Sequence, residues 1–189
     1  MSDVRSVRRL LDPTRSLLLL IDLQEAYRDK IAHEERLVRA TQRLLEGAGV
    51  VGVPVVVTEQ YPKGLGATRA EIAALWPPGT ARFEKTSFSC WGVPELRAHV
   101  RGLARSQVIV AGIETHVCVS QTAHDLLADG LEVHLPRDAV SARFALEDEA
   151  GFAKMVGSGA VPTSVEAVLF EWLRDAKAPG FKALHRLVV

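Results

Sequence analysis

Apolar residues run without a break through SLLLLI (16–21) and stop on Asp22. An uninterrupted run of that length, ended by a carboxylate, predicts a strand buried on both faces. The segment ERLVRATQRLLEG (35–47) changes period: Leu37, Ala40, Thr41, Leu44 and Leu45 share one face and charges take the other, predicting an amphipathic helix stopped by glycine. VPVVVTE (53–59) reads as a second strand, and the glycines and prolines of 60–80 predict a long loop. ARFEKTS (81–87) is a weaker strand, and PELRAHVRGL (94–103) a helix opened by proline with Leu96, Val100 and Leu103 along one side. QVIVAGI (107–113) is the clearest central strand. A helix follows over Val117 to Asp129, closed by Gly130, and LEVHLP (131–136) is the next strand. Two helices, 145–159 and 164–176, flank a brief strand near 160–162, and 180–189 forms a short helix or packed tail.

Strands alternating with helices predict the α/β class, with right-handed crossovers and a parallel sheet covered on both faces. In such sheets ligands bind outside the carboxyl ends of the strands, so polar residues at those ends carry the functional interest.

With 189 residues, 48% of them hydrophobic, and no linker-like stretch, the chain is expected to form a single domain over 1–189. Basic and acidic residues balance at 23 each, which argues against nucleic acid or a membrane surface as partner. The opening MSDVRSVRRLLDPTR is too charged for a signal segment, and LLLLI at 17–21 is too short to span a bilayer, so a cytoplasmic location is expected. The two cysteines, Cys90 and Cys118, match no disulfide framework or metal-binding pair and are expected to be free thiols.

Three reactive residues stand at strand ends: Asp22 after the first, Lys85 in the third, and Cys118 in the turn after VIVAGI. Singly, each has a plain structural reading: a packed thiol, a capping carboxylate, a solvated ammonium. Together they make a set for covalent hydrolysis. Lys85 and a helix starting near Val117 are expected to lower the Cys118 pKa, and Asp22 to act as general base. Backbone NH groups of Glu114 and Cys118 are candidates to face a developing oxyanion.

The segments LLLLIDLQEAYR, VVVTEQYPKGLGAT, FEKTSFS and VIVAGIETHVCVSQTAHDLLADGLEVHLPRDAVSAR, in that order, resemble the isochorismatase-like cysteine hydrolase family, and its isochorismatase domain-containing subgroup through the TEQYPKGLG loop. The resemblance implies a three-layer α/β/α sandwich, Rossmann-like, around a parallel six-stranded sheet. It implies a catalytic triad on Asp22, Lys85 and Cys118, a cis peptide between Ile113 and Glu114, and a homo-oligomer, dimer or tetramer. Nicotinamidases of the superfamily hold a metal through an Asp-x-His motif after the second strand. TEQYPKGLG stands there instead, with no histidine between His33 and His99, so neither metal nor cofactor is expected.

Gln24, Tyr27, Gln60, Phe88, Trp91 and His116 lie beside strand ends as candidate substrate contacts, against loop hydrogen bonding or plain core packing as the alternatives. Cys90 reads as a passive packing thiol, and Arg143 as a structural anchor pairing with Asp138. The expected activity is metal-independent hydrolysis of a small amide or related carbonyl compound through an acyl-thioester. The alternatives are vinyl-ether hydrolysis with Asp22 as acid, or a non-catalytic scaffold.

Overall fold

A computed structural model describes residues 10–189. The first nine residues of the charged opening segment therefore lie outside the described part of the chain. Six strands form one parallel sheet: β1 Ser16–Ile21, β2 Val55–Gln60, β3 Ala81–Lys85, β4 Gln107–Gly112, β5 Glu132–Pro136 and β6 Val161–Thr163. Their order across the sheet is β3-β2-β1-β4-β5-β6. The chain winds outward from β1 in one direction and from β4 in the other, so the order reverses between these two strands. That reversal opens a crevice at their carboxyl ends.

The connecting helices are α1 Glu34–Val51, α2 Pro62–Leu65, α3 Ala70–Ala73, α4 Pro94–Gly102, α5 Ser120–Ala128, α6 Ala145–Gly157, α7 Val165–Leu173 and α8 Phe181–His185. Alternation along the strands splits the interior in two. Leu18, Leu20, Val57 and Ile109 pack toward α1 and α7, while Leu17, Leu19, Val108 and Val110 pack on the α4–α5 side. The result is the expected three-layer sandwich. Each fully buried aliphatic side chain contributes about 1.5–3 kcal/mol relative to exposure. No helix among the described residues is long and apolar enough to cross a membrane.

Two sequence expectations need correction. The first helix does not stop at Gly47; it continues to Val51 and is closed by Gly52. Gly47 lies inside it because α7 approaches there, and an added Cβ would lie 2.2 Å from Leu169 Cδ2. The loop over 60–80 is also less irregular than its glycines suggest, since it contains the single turns α2 and α3. Glu59 holds it in place: Oε1 accepts from the Thr68 amide (2.7 Å) and hydroxyl (2.8 Å), and Oε2 from Arg82 (2.8 Å).

Gly112 closes β4 at φ +125°, where a Cβ would lie 2.1 Å from the Ile21 carbonyl oxygen. Only glycine lets β4 end this close to β1. The Ile21↔Gly112 register sets Asp22 beside the turn that carries Cys118.

Candidate active site

Asp22 leaves β1 with φ +57°, a left-handed conformation that aspartate tolerates better than most non-glycine residues. Its carboxylate is buried and receives a donor on each oxygen. The Thr58 hydroxyl donates to Oδ1 (2.8 Å) and the Lys85 ammonium to Oδ2 (2.7 Å). Lys85 ends β3, two strands away, and reaches back across β2 to make this pair. Its Nζ also donates to Gln60 Oε1 (2.6 Å) and to the carbonyls of Ser87 (3.3 Å) and Phe88 (3.1 Å). Burial, the largest influence, pulls the ammonium pKa down, but Asp22 together with Cys90 and Cys118 outweighs it, so Lys85 stands above its usual 10.5.

The peptide between Ile113 and Glu114 is cis. Residues Thr115–Val119 then form a single π turn that runs into α5 and carries Cys118. Asp148 on α6 fixes this turn, accepting from Thr115 Oγ1 at 2.5 Å and from Arg137 at 2.6 Å. Cys118 is 7% exposed and borders a cavity of about 280 Å³ together with Asp22, Tyr27 and Gln60. Phe88, Ile113 and Val117 add apolar wall, and Glu114 and Arg143 stand at the same cavity.

Asp22 and Lys85 both act on the Cys118 sulfur, in opposite directions. The outcome corrects the expectation of a lowered thiol pKa. Burial, with Asp22 second, pushes Cys118 up to about 12, and Lys85 only partly offsets them. The resting residue is a thiol.

The candidate contacts divide in two. Tyr27, Gln60 and Phe88 line the cavity. Tyr27 is half-buried, and burial, reinforced by Glu114, raises its hydroxyl above the usual 10.0, so it stays a neutral donor at physiological pH. Gln60 lines the cavity while its side chain accepts from Lys85 and donates to the Thr86 carbonyl (2.8 Å).

Gln24, Trp91 and His116 do not line it. Gln24 is fully buried, and its amide binds the Gln60 carbonyl (3.0 Å), the Gly66 carbonyl (2.6 Å) and the Gln60 NH (2.7 Å), which braces the loop. Trp91 is packed in the core on the α4–α5 side. His116 is absent from the cavity lining, and its backbone is pressed against Gly151 of α6.

Arg143 was expected to pair with Asp138. Instead Asp138 accepts from the Val165 amide (3.0 Å), while Arg143 pairs with Glu114 through Nε (2.9 Å) and its main-chain NH (3.1 Å). Sequence reading also missed Thr58. Its only signal is a hydroxyl at the point where the apolar run of β2 gives way to polar residues, two positions before the strand end.

Comparison with known proteins identifies the family and the fold. The Isochorismatase domain family profile matches residues 16–167. The mouse isochorismatase domain-containing protein 2A is 39% identical over 97% of this chain and 86% of its own length. The zebrafish isochorismatase domain-containing protein 1 is 38% identical over 94% of this chain, which spans 62% of that protein. A Caenorhabditis elegans structure described as MAR1 ribonuclease superposes with a TM-score of 0.91 at 36% identity, covering 95% of this chain and 92% of that one. The chain belongs to the isochorismatase domain family.

Proposed function

We propose that this protein is a cysteine hydrolase of small amides or related carbonyl compounds, with Cys118 as nucleophile, Asp22 as proton carrier and Lys85 as electrostatic partner. The observation that carries the reading is the sealed Asp22–Lys85 pair, 2.7 Å apart, acting on a sulfur at the edge of the same cavity. A buried ion pair is costly to keep dry, and perturbed groups gathered at a cleft mark functional sites.

In the first half-reaction Cys118 Sγ forms a bond to the carbonyl carbon while its proton passes to Asp22. A thiol held near pKa 12 makes this transfer concerted with attack, and Lys85 stabilises charge developing on sulfur. The oxyanion meets the backbone NH groups of Glu114 and Cys118. The C–N bond breaks as the amine takes the proton from Asp22, leaving an acyl-thioester. Asp22 then accepts a proton from water, the water oxygen attacks, the C–S bond breaks, and the proton returns to sulfur. This sequence is complete without a metal or cofactor.

Asp22 itself lines the cavity, which supports a second reading: protonation of a vinyl ether by Asp22 in an isochorismate-type substrate, with the sulfur dispensable. Assays of Asp22→Asn and Cys118→Ala separate the two. Amide hydrolysis requires both residues, whereas vinyl-ether hydrolysis survives Cys118→Ala. The ribonuclease name of the nematode relative suggests RNA as a third substrate class. A net charge of zero and a cavity of about 280 Å³ instead favour small molecules. Exposed Phe88, Phe144 and Leu146 support self-association into a homo-oligomer, which light scattering in solution tests.

A further inference from the structure

The cavity carries two ion pairs that differ in what they leave open. Lys85 is fully enclosed, and its ammonium hydrogens meet Asp22, Gln60 and two carbonyls, so it offers no donor to a ligand. In the second pair Glu114 is buried, but the Arg143 side chain is 49% exposed. Arg143 binds Glu114 Oε1 through Nε and its own main-chain NH, so both bonds fall on one carboxylate oxygen. Neither terminal guanidinium nitrogen makes a hydrogen bond among the described residues. The guanidinium also lies 5.8 Å from the centre of the Phe144 ring, which limits its orientation.

Asp22 and Glu114 also border this cavity, each paired with its cation, and the charged donors left open in it are the two terminal nitrogens of the Arg143 guanidinium, a planar set that matches a carboxylate two bonds at a time. Phe88, Ile113 and Val117 supply apolar wall, and Tyr27 a neutral hydroxyl. We propose that Arg143 selects substrates carrying a carboxylate, so that the physiological compound is a small acyl or amide acid whose carboxylate sits on Arg143 while its scissile carbonyl faces Cys118. This rests on the reading of Cys118 as the nucleophile of the cavity, and it adds the substrate's charge.

Two alkylating agents of nearly equal size test it without knowledge of the substrate: iodoacetate, which carries a carboxylate, and iodoacetamide, which does not. In both, sulfur forms a bond to the methylene carbon, iodide leaves, and the thiol proton is lost to base. Rates are followed by mass mapping of the Cys118 peptide in the intact protein, with glutathione as the free-thiol reference.

The ratio of iodoacetate to iodoacetamide rates at Cys118 should exceed the glutathione ratio by about tenfold and shrink as salt is raised. Arg143→Gln should bring it down to the glutathione value, and Arg143→Lys should retain part of the excess. Because Arg143→Gln also uncovers Glu114, the double variant Glu114→Gln/Arg143→Gln is needed, and its ratio should stay low. A return to the wild-type ratio in the double variant would mean that Arg143 only masks Glu114, and would overturn the proposal. A wild-type ratio equal to that of glutathione, at a Cys118 that both reagents label, would overturn it while leaving the nucleophile intact. A Cys118 that neither reagent labels would remove the underlying reading and the substrate assignment with it.

Discussion

Two thiols lie within the influence of the same Asp22–Lys85 pair, one in the turn after β4 and one in the loop after β3. Cys118 borders the cavity; Cys90 is fully enclosed. Both are pushed upward mainly by burial, Cys118 to about 12 and Cys90 to about 11. The difference lies in their partners. Thr58 gives its single hydroxyl hydrogen to Asp22, so the 3.5 Å contact between Thr58 Oγ1 and Cys90 Sγ is one in which the thiol donates. The Cys90 amide is tied to Thr122 Oγ1 at 2.9 Å. Cys90 thus stands behind the carboxylate as part of its support, whereas Cys118 stands in front with open space before it. Proximity to the charged pair is common to both thiols; access to the cavity distinguishes Cys118.

Substituting each thiol in turn tests the comparison most strongly. Cys118→Ala should abolish amide turnover, by a factor of about 10³ or more. Cys90→Ala should keep turnover within a few-fold and instead lower stability by about 1–2 kcal/mol in denaturant titration. Similar activity losses in both variants would erase the distinction.

Next in size is Lys85→Met. It leaves the buried Asp22 carboxylate without its cation, and should cost about 3–5 kcal/mol of stability along with activity. A fully stable, active variant would show that the pair is incidental. Thr58→Val removes the donor to Asp22 Oδ1 and should lower kcat about tenfold, with Thr58→Ser retaining most of it. An unchanged kcat in Thr58→Val would show that Asp22 needs no support from behind.

The smallest effect is the pH dependence of stability. Both thiols have folded pKa values above their ordinary 9.0. The folded state therefore holds those protons more tightly, and the associated stability is present below pH 9 and lost as pH rises toward 12. Stability of the wild type should decline from about pH 9 upward, and less steeply in Cys90→Ala, as measured by denaturant titrations across that range.

The sheet was legible because its central strands β1 and β4 are nearly continuous apolar runs, and strand ends were enough to single out Asp22, Lys85 and Cys118. Helix ends were harder: Gly47 reads as a stop, yet it marks where α7 presses on α1. The wall of the site was legible only in part. Tyr27, Gln60 and Phe88 line the cavity, while Gln24, equally close to a strand end, braces the loop. Which way a polar side chain turns depends on the backbone that comes to meet it, and no local pattern records that. The same limit hid the Glu114–Arg143 pair, whose members are 29 positions apart, and reversed the expected direction of the Cys118 pKa. Burial depth and the balance of two opposing charges are properties of the assembled cleft.

The central claim is that the Cys118 sulfur becomes covalently acylated during turnover. Intact-protein mass spectrometry with peptide mapping, quenched in acid during hydrolysis of a responsive amide, tests it most directly. The account predicts a mass gain equal to the acyl group less one hydrogen, confined to the Cys118 peptide and absent from Cys118→Ala. Undiminished hydrolysis by Cys118→Ala would contradict it.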